Sequence, residues 1–162
     1  PNPPRSACPS PRKRRSRTKP LSPQEQLEGL EAAQMEDEEI GPLQRLMRQS
    51  TEKPPIDELL PCPENTKKFW SQWYRMQLND GILYRMFEVG RSRPPIYQAF
   101  VPYNLREAAI RQCHTGMAGG HLGAKKTLDQ VQRRFYWPTW RSDTVRHCRR
   151  CPECCKLPQT VL

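Results

Sequence analysis

Four residues constrain this chain more than any others. His114 and His121 are separated by six residues, Cys151 and Cys154 by two, and 29 residues lie between the pairs. Two imidazoles and two thiolates complete a tetrahedral zinc shell and leave no position open. Along a straight helix, a seven-residue step would hold two side chains about 10 Å apart, too far for one ion. Gly116, Gly119 and Gly120 lie between the histidines and let the chain fold His121 back towards His114. Cys151-Pro152-Glu153-Cys154 reads as a short knuckle that presents two sulfurs from one turn. The pattern predicts one structural zinc ion, Zn2+, held by His114, His121, Cys151 and Cys154.

Cys148-x2-Cys151 is a competing pair that the spacing permits. Two considerations favour Cys151 and Cys154. Cys148 falls on the apolar stripe of a helix, where a buried thiol packs as a small hydrophobe. Pro152 breaks that helix where a knuckle is needed. A redox role for the CxxC pair would require a thioredoxin-like strand–helix–strand setting, which this sequence lacks. The chain has seven cysteines, an odd count. Four of them crowd into residues 148–155, and no signal peptide is visible in the sequence ahead of them. A secreted disulfide framework would spread its cysteines. The expected setting is therefore reducing and intracellular, nuclear or cytoplasmic. No apolar run approaches the length of a membrane span, so no membrane partner is expected.

Composition argues against one core spanning the whole length. Hydrophobic residues make up 35% of the 162, 18 residues are proline, and mean hydropathy is −0.90. The first residue is proline rather than methionine, which suggests a piece of a longer chain. The net charge of +10 is unevenly spread. Residues 1–19 carry seven Lys/Arg and no acid, residues 20–60 are net −7, and residues 105–162 are net +7. A folded part that is basic on its own account suits a polyanion such as nucleic acid.

Residues 1–24 are Pro/Ser/Arg-rich without apolar periodicity and should be a disordered basic tail. Arg12–Arg15 within it resembles a nuclear-localisation patch, although a solvated tail reads the same way. Residues 25–63 read as an acidic, partly helical linker, with Leu27, Leu30 and Ala33 on one stripe and Leu43, Leu46 and Met47 on another. Residues 64–103 read as a helix plus a β-hairpin extension. Phe69, Trp70, Trp73, Tyr74 and Leu78 have helical spacing, Asn79-Asp80-Gly81 stops that helix, and two apolar runs beginning at Ile82 and Ile96 make the hairpin. Residues 104–156 read as three helices. Asn104 and Glu107 suggest a capping box for the first, whose inner stripe is Leu105, Ala108, Ala109 and Gln112. Leu128, Val131 and Phe135 face inward on the second. Thr139 caps the third, with Trp140, Thr144 and Cys148 on one face. Residues 157–162 begin a further linker. The expected class is α+β: a disordered tail, then a small hairpin packed on a three-helix zinc-binding bundle.

The run from His114 to Cys154 resembles the HHCC zinc-binding domain of Gypsy-type retrotransposon integrases. The resemblance rests on the two spacings, on Gly120-His121-Leu122-Gly123 followed by Lys125-Lys126-Thr127, and on Phe135-Tyr136-Trp137-Pro138 before the third helix. Asp80-Gly81-Ile82-Leu83-Tyr84-Arg85 matches the strand that such proteins place ahead of this domain. It is strong over about 66–156, weak over 25–65 and absent over 1–24. The resemblance independently implies Cys151 and Cys154 as ligands. It further implies a non-catalytic module supporting DNA integration, with DNA and either self-association or a downstream integrase core as partners. The family's three catalytic carboxylates belong to a separate core. Here Asp129, Asp143 and Glu153 are spaced as surface or knuckle residues, and Asp129 is four residues from both Lys125 and Arg133, so no enzyme activity is expected.

Candidate nucleic-acid contacts are Lys125, Lys126, Arg133, Arg134 and Arg141. The first three can share one helix side, and the last two flank the aromatic turn at Tyr136 and Trp137. Against this, the aromatic residues of the turn also read as a plug between helices. A second class of function is a stand-alone, host-retained or truncated zinc-dependent interaction module.

Overall fold

A computed structural model describes residues 29–90, 93–115 and 121–155. The basic tail, Leu27, the glycine-rich segment 116–120 and the final linker lie outside the described residues. The class is α+β. In chain order come α1 (Leu30–Glu36), α2 (Gly41–Gln49), α3 (Glu64–Trp70), β1 (Met76–Asn79), β2 (Ile82–Phe87), β3 (Ile96–Phe100), α4 (Arg106–Thr115), α5 (Ala124–Arg134), β4 (Phe135–Tyr136), α6 (Trp140–Arg150) and a final turn α7 (Pro152–Cys155). Short 3-10 turns occupy Ile56–Leu59, Trp73–Arg75 and Tyr103–Leu105.

The sheet has four strands in the order β1-β2-β3-β4, where a two-stranded hairpin was expected. The helix expected to run through Leu78 ends at Trp70, and Met76–Asn79 become β1 instead. The reason lies in the turn. Asp80 and Gly81 both adopt positive φ, 47° and 78°, with Asn79 paired to Ile82. Two consecutive left-handed residues make the tight hairpin turn whose twist matches antiparallel strands, and Asp-Gly is a preferred pair for it. Asn79-Asp80-Gly81 therefore joins two strands rather than stopping a helix. β4 is only two residues long and pairs parallel to β3, Ala99 against Phe135 and Phe100 against Tyr136. That pairing ties the sheet to the helical bundle.

Residues 29–63 do not behave as a linker. Ile40, Leu43 and Leu59 are at most 2% exposed and pack with Phe69, Trp73, Met76, Leu83 and Phe100. The prolines that suggest a linker hold an extended segment over this core. Its carbonyls are consumed there: Trp70 Nε1 donates to Pro54 O at 2.9 Å, and Trp73 Nε1 donates to Thr51 O at 3.0 Å. α1 is locked on by Gln34, whose amide is fully buried. It donates to Leu83 O (3.1 Å) and Phe100 O (2.7 Å) and accepts from Leu83 N–H (2.7 Å). These bonds satisfy strand groups just beyond the Tyr84–Ala99 pair, where β2 and β3 stop bonding each other.

The second core belongs to the bundle. Val101, Ala109, Ile110, Cys113, Val131 and Trp137 form it, with Leu105, Phe135 and Trp140 at its edge. The inner stripe of α4 is thus Ala109, Ile110, Cys113 and His114 rather than Ala108 and Gln112. The cause is a shift of phase: Tyr103–Leu105 form a 3-10 turn and the α-helix starts at Arg106, so Asn104 is not its cap.

Candidate metal centre

His114 stands in the last turn of α4 and is 1% exposed. Leu122 N–H donates to His114 O at 2.8 Å. That bond sets His121, the preceding residue, beside His114. Gly123 then precedes α5. Cys151 terminates α6 and is 8% exposed. Pro152 opens the short turn that carries Cys154.

These elements bring His114, His121, Cys151 and Cys154 together, with one potential ligand atom from each and all four within 4.8 Å of one another. His121 Nδ1 is 3.2 Å from His114 Nε2, Cys151 Sγ is 3.1 Å from His121 Nδ1, and Cys154 Sγ is 3.3 Å from His114 Nε2. Around a tetrahedral zinc, nitrogen and sulfur ligands sit about 3.3–3.8 Å apart, given the usual bond lengths. The three pairs, at 3.1–3.3 Å, lie at or slightly inside that spacing, so the four donors are gathered on the scale of one ion's shell and have the chemistry zinc takes.

The two imidazoles converge through different nitrogens, and each remaining nitrogen has a partner. Thr127 Oγ1 donates to Leu122 O (3.0 Å) or Gly123 O (3.1 Å), so its lone pair faces His114 Nδ1 at 3.1 Å. A proton on Nδ1 leaves Nε2 free to ligate. Glu153 Oε2 lies 3.2 Å from His121 Nε2, which frees Nδ1 in the same way. Such partners orient metal-binding histidines and fix their tautomers. Neither Thr127 nor Glu153 was singled out in the sequence for this task. The available signals are a threonine four residues before Val131, on the apolar stripe of α5, and a carboxylate inside the CxxC knuckle. Burial, together with the neighbouring His121 and His147, lowers the pKa of His114 and favours the neutral ring.

Cys148 is buried and lies 3.6 Å from His114 Nδ1, on the opposite side of the ring from Nε2. Burial raises the pKa of its thiol. Cys113, in the bundle core, is pushed up to about 11 by burial, which outweighs the nearby Arg134. Both are packing thiols in their surroundings.

The candidate nucleic-acid residues lie on two helices, four on α5 and Arg141 on α6. Lys125, Lys126, Arg133, Arg134 and Arg141 are all exposed. Lys125, Lys126 and Arg133 lie along one side of α5, where Arg133 Nε reaches Asp129 at 2.9 Å. Arg141 sits on α6, 5.0 Å from the Trp140 ring centre. The aromatic turn is not open to a base. Trp137 is 1% exposed and donates to Asp143 Oδ2 at 2.8 Å, while Tyr136 packs edge-on against Phe69 and Phe100 under Arg85. Asp143 also accepts from Thr139 (2.7 Å) and Arg146 (2.6 Å). Burial pushes its pKa up, but these hydrogen bonds and the Arg146 charge hold it below the ordinary carboxylate range.

Residues 101–157 match the integrase zinc-binding domain family. The chain is also similar to Gypsy retrotransposon integrase-like protein 1 of Homo sapiens and of Pongo abelii, 27% identical over 78 residues in each case. That alignment covers 48% of this chain and 15% of each relative. The corresponding Mus musculus protein aligns to the same extent. No solved structure matches. The matched domain and the His2Cys2 cluster together mark a zinc-binding site. Among the described residues, no helix is long and apolar enough to cross a membrane.

Proposed function

We propose that this chain, which carries a Gypsy-type integrase zinc-binding domain, works as a non-catalytic N-terminal module that supports DNA integration. His114 Nε2, His121 Nδ1, Cys151 Sγ and Cys154 Sγ hold one structural zinc. The filled shell leaves the ion no site for substrate, so its contribution is to join the end of α4 and the start of α5 to the end of α6. The module contacts element-end or non-specific DNA through Lys125, Lys126, Arg133, Arg134 and Arg141, and associates with itself or with a downstream integrase core. The bond chemistry of integration is left to that core. In keeping with this, Asp129, Asp143 and Glu153 face Arg133, Trp137 with Arg146, and His121, rather than one another. The setting is nuclear or cytoplasmic. The domain proper is residues 104–156.

The observation that carries the reading is the convergence of four donor atoms within 4.8 Å. Zinc analysis of single variants tests it. Cys154→Ser should lose tight zinc binding, whereas Cys148→Ala should keep one zinc per chain. The opposite ranking would assign the site to the wrong cysteine pair. DNA contact should show as a negative slope of log affinity against log salt.

A second reading is a stand-alone zinc-dependent interaction module. The mammalian relatives named integrase-like favour it. An intact catalytic core encoded downstream in the same transcript would rule it out.

A further inference from the structure

The outer face of α6 is a second basic surface. At about 100° per residue, Thr144, Cys148 and Cys151 point to the bundle and the metal centre, while Arg141, Val145, Arg149, Ser142, Arg146 and Arg150 spread over the opposite half of the helix. The four arginines and Ser142 are exposed, and Val145 is half-buried. These side chains line an open groove of about 730 Å³ with an apolar floor. From Arg141 to Arg149 the row runs about 12 Å along the helix.

Ordinary helix stability accounts for only part of this row. Arg149 and Arg150 sit in the last turn, where cations complement the helix dipole. Arg141 sits in the first turn, where a cation opposes it. Asp143, the acid within the helix, has its carboxylate occupied by Trp137, Thr139 and Arg146, and Arg149 has a partner of its own. Every Lys/Arg position on this face is arginine, whose planar fork pairs two-pronged with phosphate oxygens, while α5 presents Lys125 and Lys126.

We propose that the outer face of α6, Arg141, Arg146, Arg149 and Arg150, is the surface on which the module holds a nucleic-acid phosphate backbone, in preference to the lysine-bearing side of α5. This rests on the DNA-contact reading above and moves its centre from one helix to the next. Ser142 adds a hydroxyl donor. The row reads charge and spacing and therefore carries no sequence preference.

The test uses the full zinc-loaded chain with its seven tail cations replaced by glutamine, so that the tail does not supply the binding. Affinity for a short mixed-sequence duplex is measured across a salt series. Arg146→Gln/Arg149→Gln/Arg150→Gln should flatten the log–log slope by about two to three, at ~0.9 per lost phosphate contact. Lys125→Gln/Lys126→Gln/Arg133→Gln should change it by less than about one. Replacing the same three arginines by lysine should restore the slope. Arg149→Gln/Arg150→Gln, which spares the Arg146–Asp143 pair, should give a slope loss of up to about two, and zinc content must stay at one per chain. A slope loss confined to the α5 variant would overturn the proposal and leave the DNA-contact reading standing. No salt-dependent binding by the parent would overturn both. Tighter binding of poly-glutamate than of the duplex would overturn it in favour of an acidic protein partner.

Discussion

The sheet core and the zinc bundle lie side by side in one chain and are held together by different means. Around the sheet, Phe69, Trp73 and Phe100 are at most 1% exposed and pack with Ile40, Leu43, Leu59 and Leu83. Phe69 and Phe100 meet edge to face at 5.1 Å. Among the buried polar links there, Gln34 has its amide nitrogen and oxygen both satisfied. The bundle has one large fully buried residue in its own core, Trp137, and otherwise Val101, Ala109, Ile110, Cys113 and Val131. Where a further apolar layer would stand it has two imidazoles and two thiols. Small cores rarely suffice without a staple, and metal binding is then folding free energy. The sheet core is thus expected to stand without metal, and the bundle only with it.

The largest effect should come from removing a ligand. Cys151→Ser should abolish tight zinc binding and unfold α4 to α6, since a structural zinc contributes on the order of 10–16 kcal/mol in small domains. Helical circular dichroism and zinc content check this together. Next comes the sheet core. Trp73→Ala should cost about 3–5 kcal/mol through the cavity it leaves and the Thr51 carbonyl it abandons, yet zinc stoichiometry should hold. If Trp73→Ala released zinc, the two regions would be one cooperative unit and the comparison would fail.

Acid should separate the regions further. Asp143 has a folded pKa below its unfolded value. Its contribution is therefore fully present above the ordinary carboxylate pKa and disappears as pH falls through the depressed native value. Asp143→Asn should lower the melting temperature of the zinc-loaded chain at neutral pH while keeping zinc, and the gap from the parent should not widen as pH falls, which melts at successive pH values with zinc content followed would detect. The smallest effect should be Cys148→Ala, roughly 1 kcal/mol or a little more, with zinc retained.

The bundle was more legible in the sequence than the sheet. Ligand spacing is a chemical signal that depends on four residue types, and His114, His121, Cys151 and Cys154 do converge as the spacing suggests. The α5 and α6 stripes carried by Val131 and Cys148 were readable from helical periodicity. The extension is less legible because its local signals compete with more distant ones. Pro54 and Pro55 look like a linker until Trp70 claims the Pro54 carbonyl. Met76–Asn79 looks like a helix end until Asp80-Gly81 pairs it with Ile82–Arg85. Tyr136 and Trp137 read both as partners for a base and as a plug between helices, and their contacts with Phe69, Phe100 and Asp143 are those of the plug. Trp70 with Pro54 and Tyr136 with Phe69 and Phe100 are distant in sequence, so no short window contains those partners, whereas the Asp80-Gly81 turn and the Trp137–Asp143 bond are local signals.

Residue-resolved amide hydrogen exchange before and after complete zinc chelation tests the central claim most directly. Protection should vanish across residues 106–115, 124–134 and 140–150 and persist in β1, β2 and α2. Unchanged protection of α4 to α6 after chelation would contradict the claim, because the bundle would then be standing on its own core.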